Sequence, residues 1–294
     1  MRVGLIDVDS HRFPNLALMK ISAYHKHAGD QVEWWNGLKR YDVVYQSKVF
    51  DATYSRDMEF CVNADQIIKG GTGYGLDNKL PDSAEHQYPD YELYQIENIA
   101  YGYLTRGCPR QCPFCIVSRK EGTKSEQVAE LKEFWDGQKE IKLLDPNITA
   151  CKDSEQLFED LIASGAWIDF TQGLDVRLLT DRHAEQLNRM KVKLLHFAWD
   201  QYEFQTYEKL KQIRPFLKYD HRRLIVYVLT NFSTTHEQDL ERVYKLRELG
   251  YDPYIMIFDK GTAPRETRLL QRWCNNRRVF GTIRDFKEFD PKQA

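Results

Sequence analysis

Three cysteines, Cys108, Cys112 and Cys115, fall within eight residues of one another in the segment YGYLTRGCPRQCPFCIVSRKEG. A Cys-x3-Cys-x2-Cys spacing on one loop lets three thiolates converge, and thiolate is a ligand of both zinc and iron–sulfur clusters. Structural zinc takes a fourth Cys or His at compatible spacing, whereas a four-iron cluster tolerates three protein ligands when something else occupies the last iron. His86 lies upstream in a polar stretch and His183 far downstream, so neither completes a convincing zinc quartet, although spacing alone leaves zinc open. Neighbouring thiols with no metal at all would be reactive liabilities. Cys61, Cys151 and Cys274 stand alone and read as small buried hydrophobes.

Cys108-x3-Cys112-Pro113-Phe114-Cys115, with Phe114 directly before the last cysteine, resembles the signature of the radical S-adenosylmethionine superfamily. The resemblance implies a [4Fe-4S] cluster on the three thiolates. It also implies S-adenosylmethionine chelating the open iron and a one-electron cleavage that yields a 5′-deoxyadenosyl radical. The electron would come from a reductant such as flavodoxin or ferredoxin. Looser likeness runs on along the chain. Lys142-Leu143-Leu144-Asp145-Pro146-Asn147 resembles the end of the family's second strand, which puts Asp145 and Asn147 by the methionyl part of the cofactor, although the usual Gly-Gly-Glu triplet is absent. Residues 170–177 resemble the third strand and bring Gln172, Asp175 and Arg177 to its C-terminal mouth, where a structural Asp–Arg pair is the equal alternative. His196-Phe197-Ala198-Trp199-Asp200 resembles the fourth strand, with Asp200 as the acid at the ribose. Val228-Leu229-Thr230-Asn231-Phe232 resembles the fifth, with Asn231 where glycine is expected and an adenine edge as its partner.

These residues need a frame that brings several strand ends together. Residues 2–7 read as a strand and 16–27 as a helix, followed by strands at 31–35, 41–49 and 66–69 that end in a glycine cluster. Residues 1–75 therefore read as a small Rossmann-like α/β domain, and the polar, proline-bearing stretch 76–97 as a linker. From 98 to 294 strands near 101–105, 140–144, 167–170, 193–198, 224–229 and 253–258 alternate with helices at 126–135, 154–164, 181–190 and 237–249. About six βα units are consistent with a partial (β/α)6 barrel, whose chemistry sits on the loops after the strands.

The small domain resembles a shortened cobalamin-binding module. Gly70-Gly71 stands for its glycine pair and Asp9-Ser10-His11 for the start of its Asp-x-His-x-x-Gly signature, but Pro14 takes the place of that glycine. Tight cobalamin binding is therefore not expected. Two readings stand beside a radical enzyme of unknown substrate: a cobalamin-dependent radical methyltransferase, and a noncatalytic iron–sulfur or zinc protein that senses or binds. An RNA methylthiotransferase is disfavoured, because that group's N-terminal domain carries a second cysteine trio and this one has only Cys61.

The 42 basic and 44 acidic residues nearly cancel, so no long-range field announces nucleic acid or an anionic membrane. A local contact with phosphates is still open through Arg265, Arg268, Arg272, Arg277 and Arg278 around Trp273, which otherwise form a solvated helix face. No apolar run approaches the roughly 20 residues that span a bilayer. A cytoplasmic protein is the simplest expectation.

Overall fold

The computed structural model describes residues 1–11, 13–57 and 62–292, which leaves Cys61 outside the described residues. The chain forms two compact units, Met1–Gly102 with Ala129–Gln138, and Tyr103–Val128 with Lys139–Ala294.

In the first unit β1 (Arg2–Asp7), α1 (Leu16–His27), β2 (Gln31–Trp34), β3 (Tyr41–Ser47) and β4 (Ala64–Gly70) follow in turn. The strands form a parallel sheet in the order β2-β1-β3-β4. Alternation along β1 divides its side chains between two cores. Val3 and Leu5 join Leu18 and Ile21 of α1, while Ile6 meets Tyr41 and Val44. α1 starts where it does because Pro14 precedes it and the Asn15 side chain accepts from the Leu18 N–H at 3.2 Å.

The stretch expected to be a linker packs into this unit. It holds α2 (Asp82–Glu85), a 3-10 turn at Tyr91–Tyr94, and β5 (Ile99–Gly102) directly after it. Lys20 Nζ donates to Glu85 Oε1 at 3.0 Å, Ser22 Oγ donates to Asp90 at 2.5 Å, and the Tyr91 hydroxyl donates to the Phe134 carbonyl at 2.6 Å. One-turn elements held by such distant partners have no period for a sequence to display.

In the second unit β6 (Thr105–Arg106) pairs antiparallel with β7 (Glu126–Gln127), with α3 (Val117–Lys120) between them. The helix expected at 126–135 is therefore not formed. β7 belongs to one unit, and the short turn Leu131–Glu133 with buried Phe134 belongs to the other. Apolar residues that serve separate cores cannot share one helical stripe.

Beyond it come β8 (Glu140–Leu143), α4 (Ser154–Ser164), β9 (Trp167–Phe170), α5 (Asp181–Arg189), β10 (Lys191–Val192) and β11 (Leu195–Ala198). Then follow α6 (Phe204–Ile213), β12 (Leu224–Thr230), α7 (His236–Leu249), β13 (Asp252–Ile257), α8 (Arg265–Asn275) and α9 (Arg277–Thr282). β8 pairs with β9, β9 with β10, β11 with β12 and β12 with β13, all in parallel. A parallel bridge between Leu174 and Phe197 links β9's extension to β11. The strand expected at 193–198 is thus shortened to β11, with β10 just before it.

One face of these strands, including Ile141, Ile168, Phe170, Phe197, Val226, Val228 and Ile255, is buried. The other carries Asp169, His196, Tyr227, Tyr254 and Met256 at partial exposure or more. The free edge of β13 is covered by α8: Asn275 Oδ1 accepts from the Ile255 N–H at 2.8 Å, and Gln271 Nε2 donates to the Ile255 carbonyl at 3.0 Å. Because the strands are parallel, their C-terminal loops leave on a common edge. Among the described residues no helix is long and apolar enough to cross a membrane.

Candidate active site

The cysteine loop runs from β6 to α3. Gly107 enters it at φ +87°, and a Cβ there would stand 1.9 Å from the Lys124 carbonyl oxygen, so only glycine fits. The Cys108 N–H donates to the Gly122 carbonyl at 3.1 Å and closes the loop's base, and the Cys115 N–H donates to the Cys112 carbonyl at 3.0 Å in a tight turn. All three thiols are free and partly exposed, whereas Cys151 and Cys274 are buried. Burial pushes the Cys112 thiol up, and the Asp200 carboxylate and the Cys115 and Cys108 thiols add to it, with Arg177 opposing. The three sulfurs and Asp200 therefore share one field.

Beneath the loop Asp145 is buried, and both of its oxygens are taken. It accepts from the Leu104 N–H at 3.1 Å, the Thr105 N–H at 2.5 Å and the Thr105 hydroxyl at 2.7 Å. Burial still pushes its carboxyl up to about 6, against those donors. Asp145 thus anchors the strand that leads into the cysteines.

Asn147, two residues on, faces the site. Its Nδ2 lies 3.4 Å from Cys108 Sγ and 3.4 Å from Asp175 Oδ2, while Thr149 Oγ1 donates to its Oδ1 at 2.9 Å. Asp175 accepts from Arg110 Nε at 2.7 Å and Arg177 Nε at 2.8 Å, and Arg177 reaches on to Glu203 at 2.8 Å. Burial works against the Asp175 carboxylate, but the Arg177 and Arg110 guanidinia outweigh it and hold its carboxyl below the usual range. Both the structural pair and the position at the strand's mouth are therefore present in Asp175 and Arg177.

Asp200 is mostly buried, and burial pushes its carboxyl up to about 6 against the Arg242 and Arg177 guanidinia. Among the described residues no hydrogen bond reaches its carboxylate. Phe114 packs edge-on against Phe232 at 5.5 Å between centroids, and Phe232 against Phe258 at 4.8 Å, which ties the cysteine loop to the ends of β12 and β13. Asn231 holds φ +59°, the left-handed backbone that asparagine tolerates and glycine favours, which accounts for asparagine at the expected glycine. Its Nδ2 donates to the Asp259 carbonyl at 2.9 Å, so the amide nitrogen braces the loop after β13. Gln172 lines a cavity on the partly exposed face of β11–β13.

Sequence reasoning missed Arg110, Glu203 and Thr105. Arg110 sits inside the cysteine motif, where a cation among thiols was a usable signal; nothing in the sequence marked Glu203. Trp273, at the centre of the C-terminal arginine group, is 0% exposed and packs against Phe280 at 4.9 Å, so it belongs to the core. In the first unit Asp9 accepts from the Val49 and Phe50 N–H groups at 2.8 and 2.9 Å, which commits the carboxylate expected to orient His11. Gly71 holds φ +93° and a Cβ there would stand 2.2 Å from the Lys48 carbonyl oxygen, so this glycine serves a close backbone approach.

Among the described residues no three His, Cys, Asp or Glu side chains form a group that could hold a single metal ion. One tetrahedral ion needs its thiolates gathered about 2.3 Å from a common centre. A four-iron cluster places each thiolate on a different iron and so accepts wider spacing. Three soft thiols on one glycine-set loop, with an amide donor turned on the first, fit the cluster's donor set.

No family model matches the chain, and no curated protein matches it. Among solved structures it is similar to the radical S-adenosylmethionine methyltransferase TsrM from Kitasatospora setae with cobalamin and a [4Fe-4S] cluster bound, at TM-score 0.64 and 11% identity over 87% of this chain and 74% of that one. TsrM with its tryptophan substrate and a SAM analogue bound matches at TM-score 0.63 and 12% identity, over 86% of this chain and 72% of that one. At such identity the likeness establishes a shared fold, mixed α/β with parallel sheets.

Proposed function

We propose that the chain is a radical S-adenosylmethionine enzyme and that its second unit is a partial (β/α)6 barrel. One observation carries this reading: three free, partly exposed thiols on a single loop, with Asn147 and the Asp175–Arg177 network beside them, in a chain that shares the fold of a radical S-adenosylmethionine methyltransferase. Cys108, Cys112 and Cys115 would hold the [4Fe-4S] cluster, and S-adenosylmethionine would complete it. When bound, the pair supplies one-electron cleavage to a 5′-deoxyadenosyl radical that takes hydrogen from a substrate.

The chain's own residues do the positioning. Asn147 donates to the Cys108 sulfur and so favours its thiolate form. Arg177, oriented by Asp175 and Glu203, offers a guanidinium to a carboxylate. Asp200 offers uncommitted oxygens to the hydroxyls of a ribose. Phe114 and Phe232 cover the loop with apolar surface and limit water. A flavodoxin or ferredoxin in the cytosol is the partner this chemistry calls for.

Cobalamin-dependent methyl transfer is the second reading, favoured by the cobalamin in the TsrM structure and weakened by the committed carboxylate of Asp9. Anaerobic reconstitution tests the first. Iron is expected at about four per chain, lost in Cys108→Ala, Cys112→Ala or Cys115→Ala and kept in Cys151→Ala and Cys274→Ala. Dithionite should then release 5′-deoxyadenosine and methionine. Stoichiometric zinc without iron, or a reduced cluster that yields no nucleoside, rejects the reading in favour of a sensor or binding protein.

A further inference from the structure

The second unit contains a cavity of about 970 Å³, at the upper end of the roughly 300–1,000 Å³ typical of small-molecule sites. Its walls include His196, Tyr227 and Tyr254 from β11–β13, and Arg277 and Arg284 from α9 and the residues after it. The lining includes none of the three cysteines, nor Asp175, Arg177 or Asp200.

Its charges are unbalanced. Neither the Arg277 nor the Arg284 guanidinium makes a hydrogen bond or ion pair among the described residues. The carboxylate of the lining, Asp252, is already taken by His221 at 2.7 Å, and Arg222 is held by Asp220 at 2.9 Å. Two uncommitted cations therefore face a volume with no free acid on its lining. Guanidinium forks in that state suit a planar or tetrahedral oxyanion.

Around the lining residue His196 the polar partners are incomplete as well. His196 Nδ1 and Asp169 Oδ1 are buried without hydrogen-bond partners and stand 4.0 Å apart, too far to satisfy each other. Such orphaned atoms mark a place where a further group completes the set. Burial holds the His196 imidazole below its usual range against the Asp169 carboxylate and a Phe170 backbone contact, with Arg277 assisting, so its ring nitrogens serve as one donor and one acceptor. The ring stacks on Tyr227 at 5.2 Å with 6° between planes, and Tyr227 meets Tyr254 edge-on at 5.8 Å, which makes an aromatic wall beside the orphans.

We propose that this cavity binds a small aromatic anion: Arg277 and Arg284 take its charged group, the Tyr227–Tyr254 wall its ring, and His196 a hydroxyl or amine on that ring. The inference goes beyond the radical reading and does not require the thiols to carry iron.

Titration calorimetry of the full chain, as purified and after iron reconstitution, tests it with phenyl phosphate, benzoate and neutral benzyl alcohol as probes. The two anions share the chemistry, and their relative affinities tell a phosphate ligand from a carboxylate one. At least one should bind saturably, more than tenfold tighter than benzyl alcohol, and Arg277→Gln with Arg284→Gln should weaken it by at least about tenfold. Both arginines are exposed, so this variant should keep its melting temperature. Tyr227→Leu should weaken both anions while leaving their ratio unchanged. Failure of both anions to saturate, or binding indifferent to the two arginines, overturns the proposal. Iron measured on the same samples keeps the two hypotheses apart: anion binding by protein that cannot take iron would remove the radical reading and leave this one.

Discussion

The side-chain amide nitrogen of Asn147 lies 3.4 Å from the sulfur of Cys108, the amide oxygen accepts from the Thr149 hydroxyl at 2.9 Å, and the Asn147 backbone carbonyl accepts from the Ser125 hydroxyl at 2.8 Å. The donor is therefore held in place before any cofactor arrives. Asn147→Leu removes it and should weaken iron retention by about 10- to 100-fold, the usual cost of losing a group that supports a metal ligand. Asn147→Asp should cost more, since it sets a carboxylate against both a thiolate and Asp175. Iron remaining after timed exposure to a chelator measures both, and wild-type retention in Asn147→Leu would remove the amide from the site.

Asp145 carries a prediction about stability. Its loss in Asp145→Ala leaves the Leu104 and Thr105 N–H groups without their acceptor, at about 1–3 kcal/mol for each buried orphan. Urea unfolding should show a destabilisation of about 2–4 kcal/mol, together with poorer iron uptake because the strand into the cysteines is loosened. The pH dependence has a definite sign. Burial raises this carboxyl from 3.8 to about 6 in the folded chain, so the fold binds its proton more tightly than the unfolded chain does. Stability relative to Asp145→Asn should be greatest below pH 3.8, fall as pH rises to about 6, and stay level above it. A rise across that window would contradict the burial argument.

Asp200 should matter to the cofactor and not to the metal. Its carboxylate has no hydrogen-bond partner among the described residues and its field acts on Cys112. Asp200→Ala should weaken S-adenosylmethionine binding to iron-loaded protein by roughly 10- to 100-fold, the value of a charge-assisted hydrogen bond, with iron content unchanged. Unaltered affinity would take Asp200 out of the site, and lost iron would reassign it to the cluster.

Cobalamin should not be held tightly by the first unit. A lower imidazole ligand needs a carboxylate to orient it, and both oxygens of Asp9 are occupied by the Val49 and Phe50 N–H groups. His11 itself sits at φ +52°, in backbone that a non-glycine residue rarely adopts. Anaerobic incubation with hydroxocobalamin followed by desalting should leave little corrin in the absorption spectrum. Near-stoichiometric retention that is lost in His11→Ala would reverse this and favour the methyltransferase.

What the sequence determined by itself was whatever depends on near neighbours. β1, α1, α4 and β9 have the limits that alternation and helical spacing predict, because a strand or helix long enough to bury one face writes its period into the chain. The spacing of Cys108, Cys112 and Cys115 was equally local. Tertiary structure decided which polar residues were free to act. Asp145 and Asn147 look alike in sequence, two residues apart after one strand, yet one is spent on Thr105 while the other turns to Cys108. The same holds for Asn231, spent on Asp259, for Trp273, enclosed in the core, and for the segment 126–135, divided between two units. A buried polar atom must find a partner, and that partner lies up to 41 residues away for Asp145. No local pattern records which partner was found, so the candidate residues were legible while the division of labour among them was not.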